Sequence, residues 1–524
     1  MKDYPLPKML IGVIIGIMIS RKLIVEAGSA IIISMGFIIL IITGNFILKR
    51  FFYKYNLLNV VVLLFCVFTG IALQMTNNCI FYEYQSNEFQ QNTLLKVISS
   101  PQLKGKNYRF KCKIIGEKNI PNTFVYIRNN EVMVLPKRSD IIQLSKKVNI
   151  IENGETSTFD FKRYCHRNNI AYSIYTNCGD INYIDTTNKS LHLFFDNIQE
   201  GLANKLLYYI QDSSCFSIAA ALILGYDQLS QETRSVFSST GAVHVLCVSG
   251  LHVSTIFLLI SFLFKPFSNV YFRRYINPVI SLIILWMYAA ITGFSPSVTR
   301  ASFMLSFILI GTLINRDVIT INTLCGAAML MIIANPNIIY NVGFQLSFGA
   351  VLGIITFNNE INFRLLKANR LTNKIPHFPH KLFENLIGLI SVSISVQMLL
   401  APILLYYFHI FPNYFLLSNI IAIPIATIIL YLGIFLLLIS PIKIIATLIG
   451  KLLNFVIKIL VSGINIIHNI PFSTIEVSNL KVSQVVLFIL LIFLFVNSLK
   501  LGFSKQKIIG SLLVVIMFII IGII

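Results

Sequence analysis

Charge is what this chain has least of. Only 12% of its 524 residues are Asp, Glu, Lys or Arg, and the acidic ones number 21 against 42 basic. A soluble globular chain is about one quarter charged, so an ordinary water-soluble protein is excluded. Cysteine is sparse too: eight residues, with neither metal-ligand spacing nor a paired framework. The eight histidines are scattered and form no metal-binding cluster, so no metal and no cofactor is expected. Carboxylates are nearly missing from the apolar runs. That disfavours a proton-driven carrier, which relies on a buried acid. After the apolar Met9–Ser20 there is no small-residue cleavage site, so the amino terminus reads as an integral hairpin rather than a removed signal peptide.

What the chain has in quantity is hydrocarbon. Hydrophobic residues make up 56%, and the net charge is +21. Apolar runs fall near 9–25, 29–48 and 57–75, and again near 243–264, 278–293, 298–314, 318–334, 338–357, 385–409, 413–440, 444–467, 481–498 and 508–524. About ten to thirteen crossings of a bilayer follow. Basic residues gather after alternate spans: Lys49, Arg50 and Lys54; Lys265, Arg273 and Arg274; Arg364, Lys367, Arg370, Lys374 and Lys381; Lys500, Lys505 and Lys507. All fall on one side if the amino terminus is cytoplasmic. Arg21 and Lys22 dissent. The polar block at about 80–200 then lies outside the cytoplasm.

That block reads as β. In "NYRFKCKII" Tyr108, Phe110, Cys112 and Ile114 alternate with Arg109, Lys111 and Lys113. "NTFVYIRNNEVMVL" has the form of a hairpin turning at Asn129-Asn130, and "DIIQLSKKVNII" that of a further strand. Five or so short strands suit a small barrel such as an OB-fold. Arg109, Lys111 and Lys113 are candidate phosphate contacts, against the plainer reading of a solvated strand face. Cys112 and Cys178 are either core thiols or, in an exported block, a disulfide. Cys66, Cys247 and Cys325 read as packing residues. From 191 to 211, Phe194, Phe195, Ile198, Leu202, Leu206 and Tyr209 recur at helical spacing, as in an amphipathic helix. The expected layout is 1–78 amino-terminal helices, 79–190 β domain, 191–240 helical linker and 241–524 polytopic bundle.

The bundle carries polar groups at membrane depth. "VHVLCVSGLHVSTIFLLI" holds His244, Ser249, Gly250 and His252; "TGFSPSVTRASF" holds Ser295 and Arg300; "NPNIIYNVGFQLSFGA" holds Gln345 and Ser347. Such groups must be bonded, packed or wet. Gly250 permits a close approach or a break. Ser249 and His252 are i, i+3 neighbours, so a serine–base pair is geometrically open, but no acid in the run orients the histidine. Packing within the helices is the plain alternative. Together with Ser391, Ser395, Gln397 and Asn419 these residues fit a water-lined path.

"HVLCVSGLHV" (His244–Val253) resembles the signature of the ComEC-type competence channel family. "AALILGYDQLSQETRSVFSSTGAVH", "SPSVTRASFM", "NPNIIYNVGFQLSFGA" and "LLSNIIAIPIA" are similar to further elements of that family in the same order, and "STFDFKRYCHRNNI" to the end of its exported OB-like domain. The resemblance implies a channel, not an enzyme: a polytopic helical protein of the bacterial cytoplasmic membrane that conducts single-stranded DNA during natural transformation. It implies an extracytoplasmic OB-like barrel inserted after the first spans. Its partners would be single-stranded DNA and membrane lipids, with a surface DNA receptor and a cytoplasmic helicase or single-strand-binding protein. Many relatives continue into a metallo-β-lactamase-like domain, whereas this chain ends in "GSLLVVIMFIIIGII". A separate nuclease is therefore expected. His244, Ser249, Gly250, His252, Ser295, Arg300, Gln345 and Ser347 would line the DNA path. The rivals are a permease for a small solute or lipid precursor, and an intramembrane hydrolase using Ser249 and His252.

Overall fold

In the computed structural model, residues 5–20, 35–36 and 57–500 are described, apart from 86–92, 100, 105–106, 116–120, 129–134, 147, 154–160, 186–190, 227, 265–268, 270, 315–319, 373–379 and 478–479. The expected spans at 29–48 and 508–524, and the turn at Asn129-Asn130, lie outside the described residues. The chain divides into two compact units, Met1–Asn197 with Ala328–Asn341, and Ile198–Ala327 with Val342–Ile524.

In the first unit, helices α1 (Pro5–Ile19) and α2 (Leu57–Gln85) pair along glycine faces. A side chain on Gly16 would meet the Val67 carbonyl, and one on Gly70 the Val13 carbonyl. Small residues let two apolar helices approach this closely.

The β block follows as β1 (Thr93–Val97), β2 (Gln102–Lys104), β3 (Asn107–Ile114), β4 (Asn122–Arg128), β5 (Ile141–Leu144), β6 (Asn149–Ile150), helix α3 (Phe161–Arg167), β7 (Ile170–Thr176) and β8 (Ile181–Asp185). Among the described residues these form an eight-stranded sheet in the order β6-β7-β4-β3-β1-β5-β8, with β2 on β3. All pairs are antiparallel except β4 with β7. The alternation read in β3 holds, since Phe110, Cys112 and Ile114 are buried with Leu95, Val125, Ile127, Ile142 and Leu144. Cys112 is a free thiol in that core.

Three expectations change here. The sheet has more and shorter strands than the five foreseen. The run 140–151 splits into β5 and β6, which pair with different neighbours. The sheet is mixed, and its pairings do not show closure into an OB-like barrel.

The second unit is helical: α4 (Leu191–Tyr209, which begins in the first unit), α5 (Ser213–Leu224), α6 (Gln231–Ser239), α7 (Val243–Leu246), α8 (Gly250–Leu263), α9 (Asn277–Ile291), α10 (Pro296–Leu313), α11 (Thr320–Ala334, shared with the first unit), α12 (Val342–Thr372), α13 (His380–Phe408), strand β9 (Ile410–Pro412), α14 (Phe415–Ile439), α15 (Lys443–His468), strand β10 (Thr474–Glu476) and α16 (Val482–Lys500). Among the described residues six helices are long and apolar enough to cross a membrane: 274–291, 296–313, 342–367, 383–408, 415–439 and 443–468. Helix α5 falls within the stretch expected as a helical linker, yet it is apolar and buried on nearly all sides. It starts at Asp212, whose carboxylate accepts the Ser214 and Cys215 N–H groups, and stops at Gly225 in the left-handed region (φ 68°). Side-chain oxygen at the start and glycine at the end are the usual helix punctuation.

The run 243–264 is not one helix. It breaks at Cys247–Ser249 into α7 and α8, and Cys247 is exposed, whereas Cys66 and Cys325 are buried as expected.

Candidate functional site

The break before α8 is built by Ser249. Its hydroxyl accepts the Leu251 N–H (3.2 Å), while its own N–H donates to His252 Nδ1 (3.2 Å). This is a capping box in which histidine stands where Glu or Gln usually does. The serine oxygen also lies 2.9 Å from Nδ1. With Nδ1 accepting, the imidazole proton sits on Nε2. His252 is buried, and Nε2 has no hydrogen-bond partner among the described residues.

Helix α10 meets this turn, and through it α12. Arg300, in the second turn of α10, is 6% exposed. Its Nη1 donates to the Ser347 carbonyl on α12 at 2.7 Å, and its guanidinium stands 5.8 Å from the centre of the Phe348 ring. A Cβ placed on Gly250 would fall 2.7 Å from Arg300 Nη2, so glycine at the first position of α8 makes room for the guanidinium. Val248, Val253, Leu285, Ala289, Val298 and Ala301 form the apolar floor beside it.

Five of the eight expected path residues thus converge: Ser249, Gly250, His252, Arg300 and Ser347. The other three lie apart from this group. Ser295 caps α10, accepting the Val298 N–H at 3.5 Å. The His244 ring donates to the Gly241 carbonyl at 2.9 Å. Gln345 is half-buried and, two residues from Ser347, falls on the opposite side of α12.

A serine nucleophile is poorly served here. The Ser249 oxygen is engaged in capping, and no carboxylate holds the far side of His252 among the described residues. A cap and a nucleophile respond differently to substitution. Ser249→Asn keeps a capping oxygen and is expected to melt near the wild type, whereas Ser249→Ala loses about 1 kcal/mol. Thermal unfolding of the full-length protein checks this; equal loss in both variants would remove the capping account.

The sheet holds a second polar site. The parallel register of β4 and β7 sets Tyr126 opposite Tyr175, and the rings stack at 4.7 Å with planes 10° apart. With Asn107, Arg128, Lys146, Thr176 and Asn177 they line an open cavity of about 340 Å³. Tyr175 is exposed.

On the same face the β3 row is uneven. Arg109 lies over the Phe124 ring at 4.6 Å. Lys111 is half-buried, and that burial, with the Arg109 charge beside it, pulls its ammonium below the usual lysine range. Lys113 is the exposed member. Burial pushes the nearby Cys165 thiol up to about 11, away from reactivity.

A family model described as Competence protein matches residues 222–501. ComE operon protein 3 of Bacillus subtilis is 28% identical over 199 residues, covering 38% of this chain and 23% of that protein. An uncharacterized protein of Aquifex aeolicus is 27% identical over 262 residues, covering 49% and 59% respectively. Recombination protein 2 of Haemophilus influenzae is 26% identical over 178 residues, covering 33% and 22%. The matches thus span less than two thirds of each of these relatives. No solved structure matches.

Proposed function

The chain belongs to the competence protein family, matched over residues 222–501, and we propose on that footing that it serves DNA uptake during competence, as a channel that conducts one strand across the bacterial cytoplasmic membrane. Names given to its relatives, one for the ComE operon and one for recombination, accord with handling incoming DNA. The chain is a multi-pass membrane protein with long apolar helices. Its basic loops favour a cytoplasmic amino terminus, which would put the sheet outside the cytoplasm.

The observation that carries the single-strand reading is the tyrosine pair beside Arg128 and Lys146. Sequence-tolerant binding of single strands combines exposed aromatic faces with cations that follow the backbone. Tyr175 is exposed, and the two basic side chains line the same cavity. A permease for a small solute has no need of such a platform outside the bundle.

Base stacking contributes about 1–3 kcal/mol per base. Tyr175→Ala in the full-length protein is therefore expected to weaken binding of a fluorescent oligothymidylate roughly fivefold or more. Replacing Arg109, Lys111 and Lys113 together by alanine should flatten the log–log salt slope by nearer one contact than three, about 0.7. The reason is that Lys113 alone of the three stands exposed. Titration at several salt concentrations reads both. Unchanged affinity in Tyr175→Ala would move the search for a DNA track off this face.

A further inference from the structure

We propose that Arg300, His252 and the first turn of α8 form an oxyanion site that holds a phosphodiester of the passing strand, an inference that rests on the single-strand reading above. The argument begins with charge. A guanidinium stays protonated in any protein setting, and this one is enclosed. Ion pairs among the described residues join Arg138 to Asp196, Lys146 to Asp180, Arg364 to Glu360 and Lys458 to Asp212. None reaches Arg300. A buried cation without a counter-charge is costly, and the Ser347 carbonyl supplies only a dipole.

Position makes the cost larger. The guanidinium lies against Gly250, the first residue of α8. Helix amino termini carry positive partial charge, which repels a cation and attracts an anion. Placing arginine there is the wrong way round for stability alone. The arrangement has the right sign for an anion held by both.

The neighbouring donors agree. Arg300 Nε is buried with no acceptor among the described residues, as is His252 Nε2 in the first turn of α8. His252 Nε2 carries the proton, because Nδ1 is occupied by the Ser249 N–H. An enclosed guanidinium set against a helix start, with its Nε unpaired and no ion-pair partner among the described residues, describes a site for an anion with several oxygens. Arginine's fork matches phosphate geometry better than lysine's point charge. A phosphodiester supplies that anion at every step of a strand, and a single such station would let each phosphate bind and leave in turn.

The chain contains one tryptophan, and it reports on this place. Trp286 packs against the cluster containing Val298 and Ala301, and its indole N–H donates to Ser306 Oγ on α10 at 3.1 Å. Full-length protein in phosphatidylcholine nanodiscs, titrated with dimethyl phosphate, should show a saturable change in Trp286 emission. Neutral trimethyl phosphate should give none. Arg300→Gln is expected to weaken the response about tenfold or more, with Arg300→Lys between. Gly250→Ala, which displaces Nη2, should weaken it as well and serves if Arg300→Gln does not fold.

No saturable response in the wild type, or an unchanged one in every variant, overturns the site. Nanodiscs containing phosphatidylglycerol separate the two sources of phosphate. If the dimethyl phosphate response disappears there, a lipid headgroup fills the site and the strand proposal falls. Failure of the site also differs from failure of the uptake reading. Normal DNA entry with Arg300→Gln, in a host where deletion blocks entry, sinks the site alone; normal entry in the deletion strain sinks the uptake reading and with it the passing strand as the ligand, leaving the dimethyl phosphate response as a test of the anion site by itself.

Discussion

Deleting this protein from a host shown to be competent is expected to reduce transformation to background, while labelled DNA continues to bind at the cell surface. The two halves of that result have separate physical grounds. A nucleic acid strand carries a charge at every phosphate, and hydrocarbon cannot solvate it, so entry requires a protein path. Surface capture does not require the bundle and should survive its loss. The informative measurement is therefore the partition of labelled DNA between nuclease-sensitive and nuclease-protected pools. Deletion should hold all of it in the sensitive pool. A small-solute permease predicts a different outcome: normal DNA protection, with loss of uptake for some metabolite. Normal transformation in a clean deletion would end the channel reading, whatever the oligonucleotide affinity of the sheet.

Much of this architecture could be read from the residues, and what could not has identifiable causes. The long spans were legible because each is an uninterrupted apolar run: 278–293 became Asn277–Ile291, and 413–440 became Phe415–Ile439. Orientation of side chains on β3 was legible because period two leaves no alternative. The break inside 243–264 was not, since apolar residues continue on both sides of it. Its signal was present in Ser249 followed by His252, a capping box disguised by the unusual residue at its third position. The tyrosine platform was missed for another reason. Tyr126 and Tyr175 lie far apart in sequence, and a parallel pairing between β4 and β7 leaves no hairpin signature between them. Local pattern shows which residues share a face of one strand; it does not show which strand lies beside it. The same limit applies in the bundle. Arg300, Ser249 and Ser347 were each singled out on separate runs, yet nothing local tied Arg300 to Gly250.

The polar residues of α13 teach the opposite lesson, and they carry the second large effect. Ser391, Ser395 and Gln397 of α13 and Asn419 of α14 read in sequence as candidates for a wet path, and Gln397 Nε2 is indeed buried without a partner among the described residues. In the fold Ser391 Oγ donates to the Asn358 side chain at 2.8 Å, Ser395 Oγ donates to the Ser391 carbonyl at 2.7 Å, and Asn419 Nδ2 donates to Ser393 Oγ at 3.3 Å. Beside them Gly353 of α12 lies so close to α13 that an added Cβ would stand 2.6 Å from the Ser395 carbonyl oxygen and 3.5 Å from Leu399 Cβ. That contact is backbone, which a rotamer change cannot relieve. Gly353→Leu is thus expected to force α12 and α13 apart and to cost about 3 kcal/mol or more. Gly353→Ala gains about 1 kcal/mol of helix propensity, yet it meets the same carbonyl and should still destabilise. Gly388 on α13 is the control, because nothing lies within 4 Å of its added Cβ. Gly388→Ala should be neutral or slightly stabilising. Thermal unfolding and yield of the full-length protein in detergent distinguish these cases. If Gly353→Leu melts with the wild type, the crossing is looser than this geometry requires, and the serines of α13 return as candidates for a hydrated path.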